Sequence, residues 1–352
     1  MHHNISASLQ EAVRSAQAKK HTLAIVGGAS KAFLQSATAD AELHVSGHGG
    51  VVAYEPGELF ITARAGTPLA EIEAMLANNK QMLACEPPHF GHTATLGGAV
   101  ACGFSGPRRP FAGSLRDHIL GVRILNGAGE MLQFGGQVMK NVAGFDVSRL
   151  MAGARGTLGA LLEISIKVMP QAELEQTLLF ECPLHDAPKR MSELARHPIP
   201  LSALAWAEGH IFMRLEGTAA AIRAAHTQIG GELAASSANF WQTLREQTHP
   251  FFSRLEPLWR LSLPPATMLV LPEADVLMDW CGGLRWWYTG KPASEVEVMA
   301  HAQGGYACLF RNSAPVVGAT PPVTLLPIHQ RLKKSFDPHG IFNPGLMGLG
   351  KP

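Results

Sequence analysis

Cysteine is scarce. Five occur in 352 residues, Cys85, Cys102, Cys182, Cys281 and Cys308, scattered, odd in number and without a C-x-x-C pair. That pattern argues against a disulfide framework, a zinc ribbon and an iron–sulfur cluster held by this chain alone, and it fits a reducing compartment. Charge is thin as well: 16% of residues are charged, the net charge is +1, and no basic block occurs. Nucleic-acid binding through phosphate neutralisation is thereby disfavoured. A surface so poorly charged predicts cover by ligand or by another subunit. No apolar run reaches the length of a membrane span. The opening MHHNISASLQEAVRSAQAKK reads as a polar amphipathic helix, not a signal peptide. Two nucleotide motifs are missing too. Neither G-x-G-x-x-G at a first strand–helix junction nor G-x-x-x-x-G-K-[ST] is found, so a nucleotide would be held some other way.

The first half alternates apolar strands with glycine turns. HTLAIVGG predicts a strand ending in two glycines, and LHVSGHGGVVAYEPGELFITARAG predicts short strands. TPLAEIEAMLANNK predicts a helix, with Thr67 as N-cap, Pro68 at its first position and Leu69, Ile72, Met75 and Leu76 as its apolar stripe. In HILGVRILNGAGEMLQFGG, Asn126-Gly127 predicts a hairpin that Ala128-Gly129 widens. Composition then shifts. Residues from about Ala172 to Asn312 hold Trp206, Trp241, Trp259, Trp280, Trp286 and Trp287, with IFMRLEG strand-like and TAAAIRAAHTQIG helical. The mixture predicts a smaller α+β domain. A Pro-rich connector, SAPVVGATPPVTLLP, leads to a last helix, IHQRLKKSFDP.

Three glycine-bearing loops fall in the first half: Gly27-Gly28-Ala29-Ser30-Lys31, Thr95-Leu96-Gly97-Gly98, and Gly153 to Gly159 with Gly156 and Thr157. Successive N–H groups in such turns form anion-binding concavities, and glycine lets a phosphate come close. Any one of them is compatible with an ordinary turn. Together, with hydroxyls at Ser30, Thr95 and Thr157, they point to a polyanionic ligand.

The order of ITARAGTPLAEIEAML, TLGGAVA…SGPRRPFAGSLRDHILGVRILNGAGE, RLMAGARGTLGALLEISIKVMP and FDPHGIFNPG resembles flavoproteins of the vanillyl-alcohol oxidase type. These share their FAD-binding domain with p-cresol methylhydroxylase. More narrowly, CEPPHFG, GPRRPF and MKNVAGFDVSRLMAG resemble the E-subunit family of bacterial glycolate oxidases (glycolate dehydrogenases). The match is dense over the first half and looser over the second, where LWRLSLP, GGLRW and HAQGGYACLFR carry it.

The resemblance implies an α+β fold. A two-subdomain FAD-binding domain of the p-cresol methylhydroxylase type would span residues 1–170. A smaller α+β cap or partner-contact domain would span 171–312, and a segment, 313–352, would return to the first domain. It implies that the turns at Gly27–Lys31 and Thr95–Gly98 hold the FAD pyrophosphate. Ser105, Gly106 and the surroundings of Gly113 would line the ribityl chain and flavin edge. Gly156, Thr157 and Gly159 would pass beside the cofactor, and the backbone at Glu163–Ile164 would meet the adenine. Arg108, Arg109 and Arg116 are open to pairing with the pyrophosphate, with Asp117 or with a partner; Arg109 and Arg116 are taken as cofactor candidates. Ala29-Ser30 stand where relatives with covalent flavin carry a histidine, so FAD is expected without a covalent link. His89 and His92 are not read as a metal pair, because Pro87, Pro88 and Gly91 disfavour a helix there, and no metal is expected.

Relatives that oxidise 2-hydroxy acids carry H-G-D-G-N in the second half, supplying a metal site and a base; this chain lacks it. The expected function is therefore the FAD-binding subunit of a multi-subunit complex oxidising glycolate, with D-lactate as a further substrate. A sister FAD-containing, 2-hydroxy-acid-oxidising subunit and an iron–sulfur subunit would complete it. The location would be cytoplasmic, with any membrane contact peripheral and through partners. The alternative is a self-sufficient FAD dehydrogenase for another small alcohol or 2-hydroxy acid, with His301, Arg285 or Arg311 in its active site. A scaffold that kept the fold and lost the cofactor is a third reading, against which the three intact loops stand.

Overall fold

In a computed structural model the described residues are 3–34, 39–136, 146–234, 237–312 and 324–349. Most of the Pro-rich connector and about half of MKNVAGFDVSRLMAG lie outside them. By compactness the chain forms two units, Met1–Ser105 with Ser114–Gln171 and Val317–Pro352, and Gly106–Gly113 with Ala172–Val316. The short Gly106–Gly113 excursion is a feature that no composition shift announces.

The first unit is built on a five-stranded antiparallel sheet in the order Val51–Glu55, Phe60–Arg64, Ala160–Lys167, Ile119–Leu125, Met131–Gly135. Its central strand, ALLEISIK, is almost continuously apolar because both faces are covered. Leu161, Ile164 and Ile166 join the core formed with Leu69, Ile72, Leu76 and Leu96. Ala160 and Leu162 join a second core with Leu9 and Val13 of the helix Ser6–Lys19, and with Phe342 near the chain's end. Beside this sheet, Leu23–Val26 pairs in parallel with Ala41–His44.

The helix Leu69–Ala77 buries Leu69, Ile72 and Leu76, with Met75 half-buried. Its start differs from expectation. Pro68 occupies the N-cap position, and the Thr67 hydroxyl instead accepts from the Gly50 amide at 2.9 Å. A buried tertiary partner outcompetes the local cap. At the Asn126 turn, the Asn126 side-chain oxygen accepts from the amides of Ala128 at 3.0 Å and Glu130 at 2.9 Å. Gly129, at φ 74°, takes the left-handed conformation.

The second unit is an eight-stranded antiparallel sheet. The helices Ala187–Leu194, Ala219–Ile229 and Ala293–Ala302 contribute Met191, Ile222 and Val296 to its core, with Leu204, Trp206, Ile211, Trp259 and Trp287. The alternation IFMRLEG sends Ile211, Met213 and Leu215 to that face. Among the described residues no helix is long and apolar enough to cross a membrane.

Candidate functional site

A cleft in the first unit holds about 800 Å³ of empty space, open solvent included. All three glycine loops reach it: Gly27 to Lys31, then Thr95, Gly97 and Gly98, then Arg155, Gly156 and Gly159. Their contributions differ.

The first loop offers amides. It leaves the strand Leu23–Val26 and turns through Ala29 at φ 55°. Among the described residues the N–H groups of Gly27, Gly28, Ala29 and Ser30 donate to no protein acceptor. Gly27, Gly28 and Ser30 are half-buried and Ala29 is exposed, and four successive open donors lining a cleft describe an anion-binding nest. Glycine is required here by space as well. A Cβ on Gly28 would stand 1.5 Å from the Thr93 carbonyl oxygen. The buried Lys31 ammonium donates to the His89 carbonyl at 3.1 Å and sets a positive charge in the wall.

The second loop is a helix start whose donors are already used. Leu96 N–H donates to Thr67 O at 2.9 Å and Gly97 N–H to Ala65 O at 2.7 Å. The Thr95 hydroxyl caps the helix Leu96–Cys102 by accepting from Gly98 N–H at 3.2 Å. The amides of Leu96 and Gly97 are therefore not free for a pyrophosphate. A Cβ on Gly97 would lie 2.7 Å from that of Ala65, so this glycine serves close helix–strand packing and brings the helix against the cleft.

The third loop is shaped by left-handed residues, Arg155 at φ 51° and Gly156 at φ 71°. Asn343 clamps it: its side-chain oxygen accepts from Ile25 N–H at 2.8 Å and its amide donates to Arg155 O at 2.7 Å. One side chain thus ties the strand before the first loop to the third loop. Asn343 lines the cleft and was missed in sequence; the only signal was its place in FNPG. Cys102 also lines the cleft, with its thiol pushed up by burial against the opposing fields of Lys31 and Arg155.

Other expected contacts lie elsewhere. Thr157 is buried, and its hydroxyl donates to Ala154 O at 2.7 Å. Leu96 is a core residue, and Ile164 is fully buried in the central strand, where Ala63 and Val122 flank it. Its backbone serves the sheet, so it does not offer groups to an adenine. Ser105 accepts from Leu115 N–H at 2.8 Å. Gly106 accepts at its carbonyl from the Trp280 indole at 2.9 Å, and Arg109 lies over that indole, 4.3 Å from the ring centre. Gly113, at φ 92°, closes the short helix Arg109–Ala112. Arg116 lines a different cavity, of about 620 Å³ with open solvent included, with Arg149, Thr157 and His329. Asp117 does not take Arg116 as its structural partner. It accepts from the Ser114 hydroxyl at 2.7 Å, a bond that holds its carboxyl below the usual range. Arg108 pairs with Glu216.

His301, Arg285 and Arg311 are not gathered into one site. His301 is exposed in the last turn of Ala293–Ala302. Arg285 is fully buried, bonded to the carbonyls of Gly282 and Thr267, and burial pulls it to about 10. Arg311 sits opposite Leu258, whereas Arg285 sits opposite Leu261, further along the same strand. His89 lies 3.1 Å from Glu73, and among the described residues no group of three or more His, Cys, Asp or Glu is placed to hold a metal.

Residues 5–135 match the FAD binding domain family. Over 97% of both chains, the sequence is 48% identical to glycolate oxidase subunit GlcE of Escherichia coli (strain K12). It is 31% identical to a D-lactate dehydrogenase of Archaeoglobus fulgidus, over 33% of this chain and 27% of that one. It is 36% identical to glycolate oxidase subunit GlcD of Bacillus subtilis (strain 168), over 24% of this chain and 18% of that one. In structure it is similar to alkyldihydroxyacetonephosphate synthase, with a TM-score of 0.67 at 15% identity, covering 97% of this chain and 74% of that one; this shows the fold. FAD is the cofactor, and the open amides of Gly27–Ser30 with the cationic Lys31 suit its diphosphate. The chain is an FAD-dependent oxidoreductase and belongs to the glycolate oxidase subunit GlcE family.

Proposed function

We propose that this chain is the FAD-binding subunit of a complex that oxidises glycolate, and D-lactate, to the 2-oxo acid. A sister flavoprotein and an iron–sulfur subunit complete it and carry the electrons onward. In the reaction, glycolate loses two electrons and two protons to become glyoxylate. When bound, FAD supplies the two-electron acceptor. The chain's own residues do the rest of what this reading asks of it. The amides of Gly27, Gly28, Ala29 and Ser30 bind the diphosphate, and Lys31 balances its charge. Gly97 lets the helix Leu96–Cys102 press close, and Asn343 keeps the first and third loops in register. Val45, Ala65 and Leu161 give the cleft apolar walls that exclude water.

The observation that carries the reading is the run of four open amides at Gly27–Ser30. Among the described residues no histidine lines the cleft, and Cys102 is held as the neutral thiol. These features support FAD held without a covalent bond. The scattering of His301, Arg285 and Arg311 speaks against a self-sufficient dehydrogenase built on them. Attachment to the cytoplasmic face of a membrane would come through the partners.

The test is a spectrum of the purified chain followed by acid precipitation. The reading expects flavin absorbance that passes wholly into the supernatant. Yellow colour that stays with the pellet contradicts the non-covalent assignment, and a chain that takes up no FAD contradicts the reading itself.

A further inference from the structure

Trp280 and Cys281 are successive non-glycine residues with positive φ, 52° and 58°. Bulky L residues rarely adopt this conformation, and such outliers persist only where surrounding contacts hold them. The contacts here are explicit. The Asp279 carboxylate accepts from Trp280 N–H at 2.7 Å, and the indole N–H donates to the Gly106 carbonyl at 2.9 Å. Both ends of the tryptophan are thus pinned, and its ring is presented to two guanidinium groups. Arg109 lies 4.3 Å and Arg260 lies 5.2 Å from the ring centre.

Arg260 projects from the strand Leu258–Ser262 and is half-buried. It donates to the Ser262 hydroxyl at 3.3 Å, and Tyr306 stands opposite Ser262 on the next strand. Among the described residues no carboxylate pairs with Arg260. Half-buried arginines usually meet an anion, because their planar fork of donors matches a carboxylate. All these residues belong to the second unit.

We infer that Arg260, stacked on Trp280 and flanked by the hydroxyls of Ser262 and Tyr306, forms a binding site for the carboxylate group of a small organic acid. The guanidinium supplies charge and a two-pronged donor, the hydroxyls supply further hydrogen bonds, and the pinned indole keeps the fork flat and preorganised. The chain then carries its own recognition of an acid substrate or product and does not leave that task wholly to a sister subunit. The choice of glycolate as probe rests on the function proposed above.

The test titrates glycolate into the full-length, FAD-loaded chain by calorimetry, in parallel with its tryptophan emission. Glycolate is expected to bind and to change the emission, and the change is expected to vanish in Trp280→Phe. Arg260→Gln is expected to weaken binding about tenfold or more, the size of a lost charge-assisted bond. Tyr306→Phe alters a side chain that is 48% exposed, so the fold survives, and a several-fold loss is expected. Inorganic phosphate is expected not to compete. Glycolate that fails to bind, affinities unchanged in Arg260→Gln and Tyr306→Phe, or phosphate that competes equally overturns the inference. FAD absorbance is recorded on every variant. Its retention with no glycolate binding sinks this site alone, and its absence from the wild type sinks the functional reading instead.

Discussion

The buried Lys31 ammonium donates to the His89 carbonyl and rides 5.5 Å over the Phe90 ring, which fixes a cation beside the open amides of the first loop. Lys31→Ala is expected to weaken FAD binding about 10- to 100-fold in a fluorescence titration. Thr157→Val is expected to leave it unchanged, because the Thr157 hydroxyl is engaged by Ala154 O. Equal losses in the two variants would contradict this assignment. His48 shows how a single buried ring sets acid stability. Burial, aided by Arg64 and Arg123, lowers it from 6.5 to about 4, and its Nδ1 accepts from Ile5 N–H at 3.2 Å. The unfolded chain therefore binds this proton more readily than the folded one. The stabilisation is full above pH 6.5 and is lost as pH falls through about 4, on the order of 3 kcal/mol. Thermal unfolding between pH 7 and 4 is expected to fall less steeply in His48→Gln than in wild type. Residue types at the first loop were legible in the sequence, since a left-handed turn and close backbone approach demand small side chains. The fate of Asn343 was not, because its partners Ile25 and Arg155 lie far away in the chain, and that of Thr157 was not, because a threonine in a glycine turn reads equally well as a ligand contact or as a local bond to Ala154 O.

At the scale of elements, the helix Leu96–Cys102 shows why a glycine pair is ambiguous in sequence. Gly97 and Gly98 read equally well as a phosphate cradle or as a packing surface. The Gly97 contact with Ala65 favours packing, because the amide already donates to that residue's carbonyl. The cap is a separable contribution. Thr95→Ala is expected to lower stability by about 1 kcal/mol in denaturant unfolding. A neutral result would mean that the cap is dispensable. The excursion Gly106–Gly113 is held to the second unit by Arg108, whose side chain is 11% exposed against 9% for Glu216. Arg214 approaches the same carboxylate at 3.3 Å. Arg108→Ala leaves the buried Glu216 carboxylate with Arg214 alone and is expected to destabilise by about 1–3 kcal/mol. Arg190→Ala, in an exposed pair, is expected to change less than about 1 kcal/mol. No periodicity announces that eight residues leave one unit for the other, since the signal lies in long-range side-chain contacts, Arg108 with Glu216 and Trp280 with Gly106 and Arg109.

For the whole molecule, the sequence pattern located the helix Leu69–Ala77 and the strands IFMRLEG and HILGVRIL but not their neighbours. ALLEISIK reads as a buried strand because it lacks alternation, yet its place between Phe60–Arg64 and Ile119–Leu125 is set by tertiary pairing alone. Likewise FNPG carries no role by itself in sequence, and only the folded chain brings Asn343 between Ile25 and Arg155. The cleft is thus assembled from parts of the chain some 300 residues apart, as the Ile25–Asn343 bond shows. Hydrogen–deuterium exchange of the peptide spanning Leu23–Leu34, with and without FAD, tests that assembly most directly. The account predicts that the amides of Gly27 to Ser30 exchange freely in the cofactor-free chain and become strongly protected once FAD is bound. Unchanged exchange there, with flavin demonstrably bound, would contradict it.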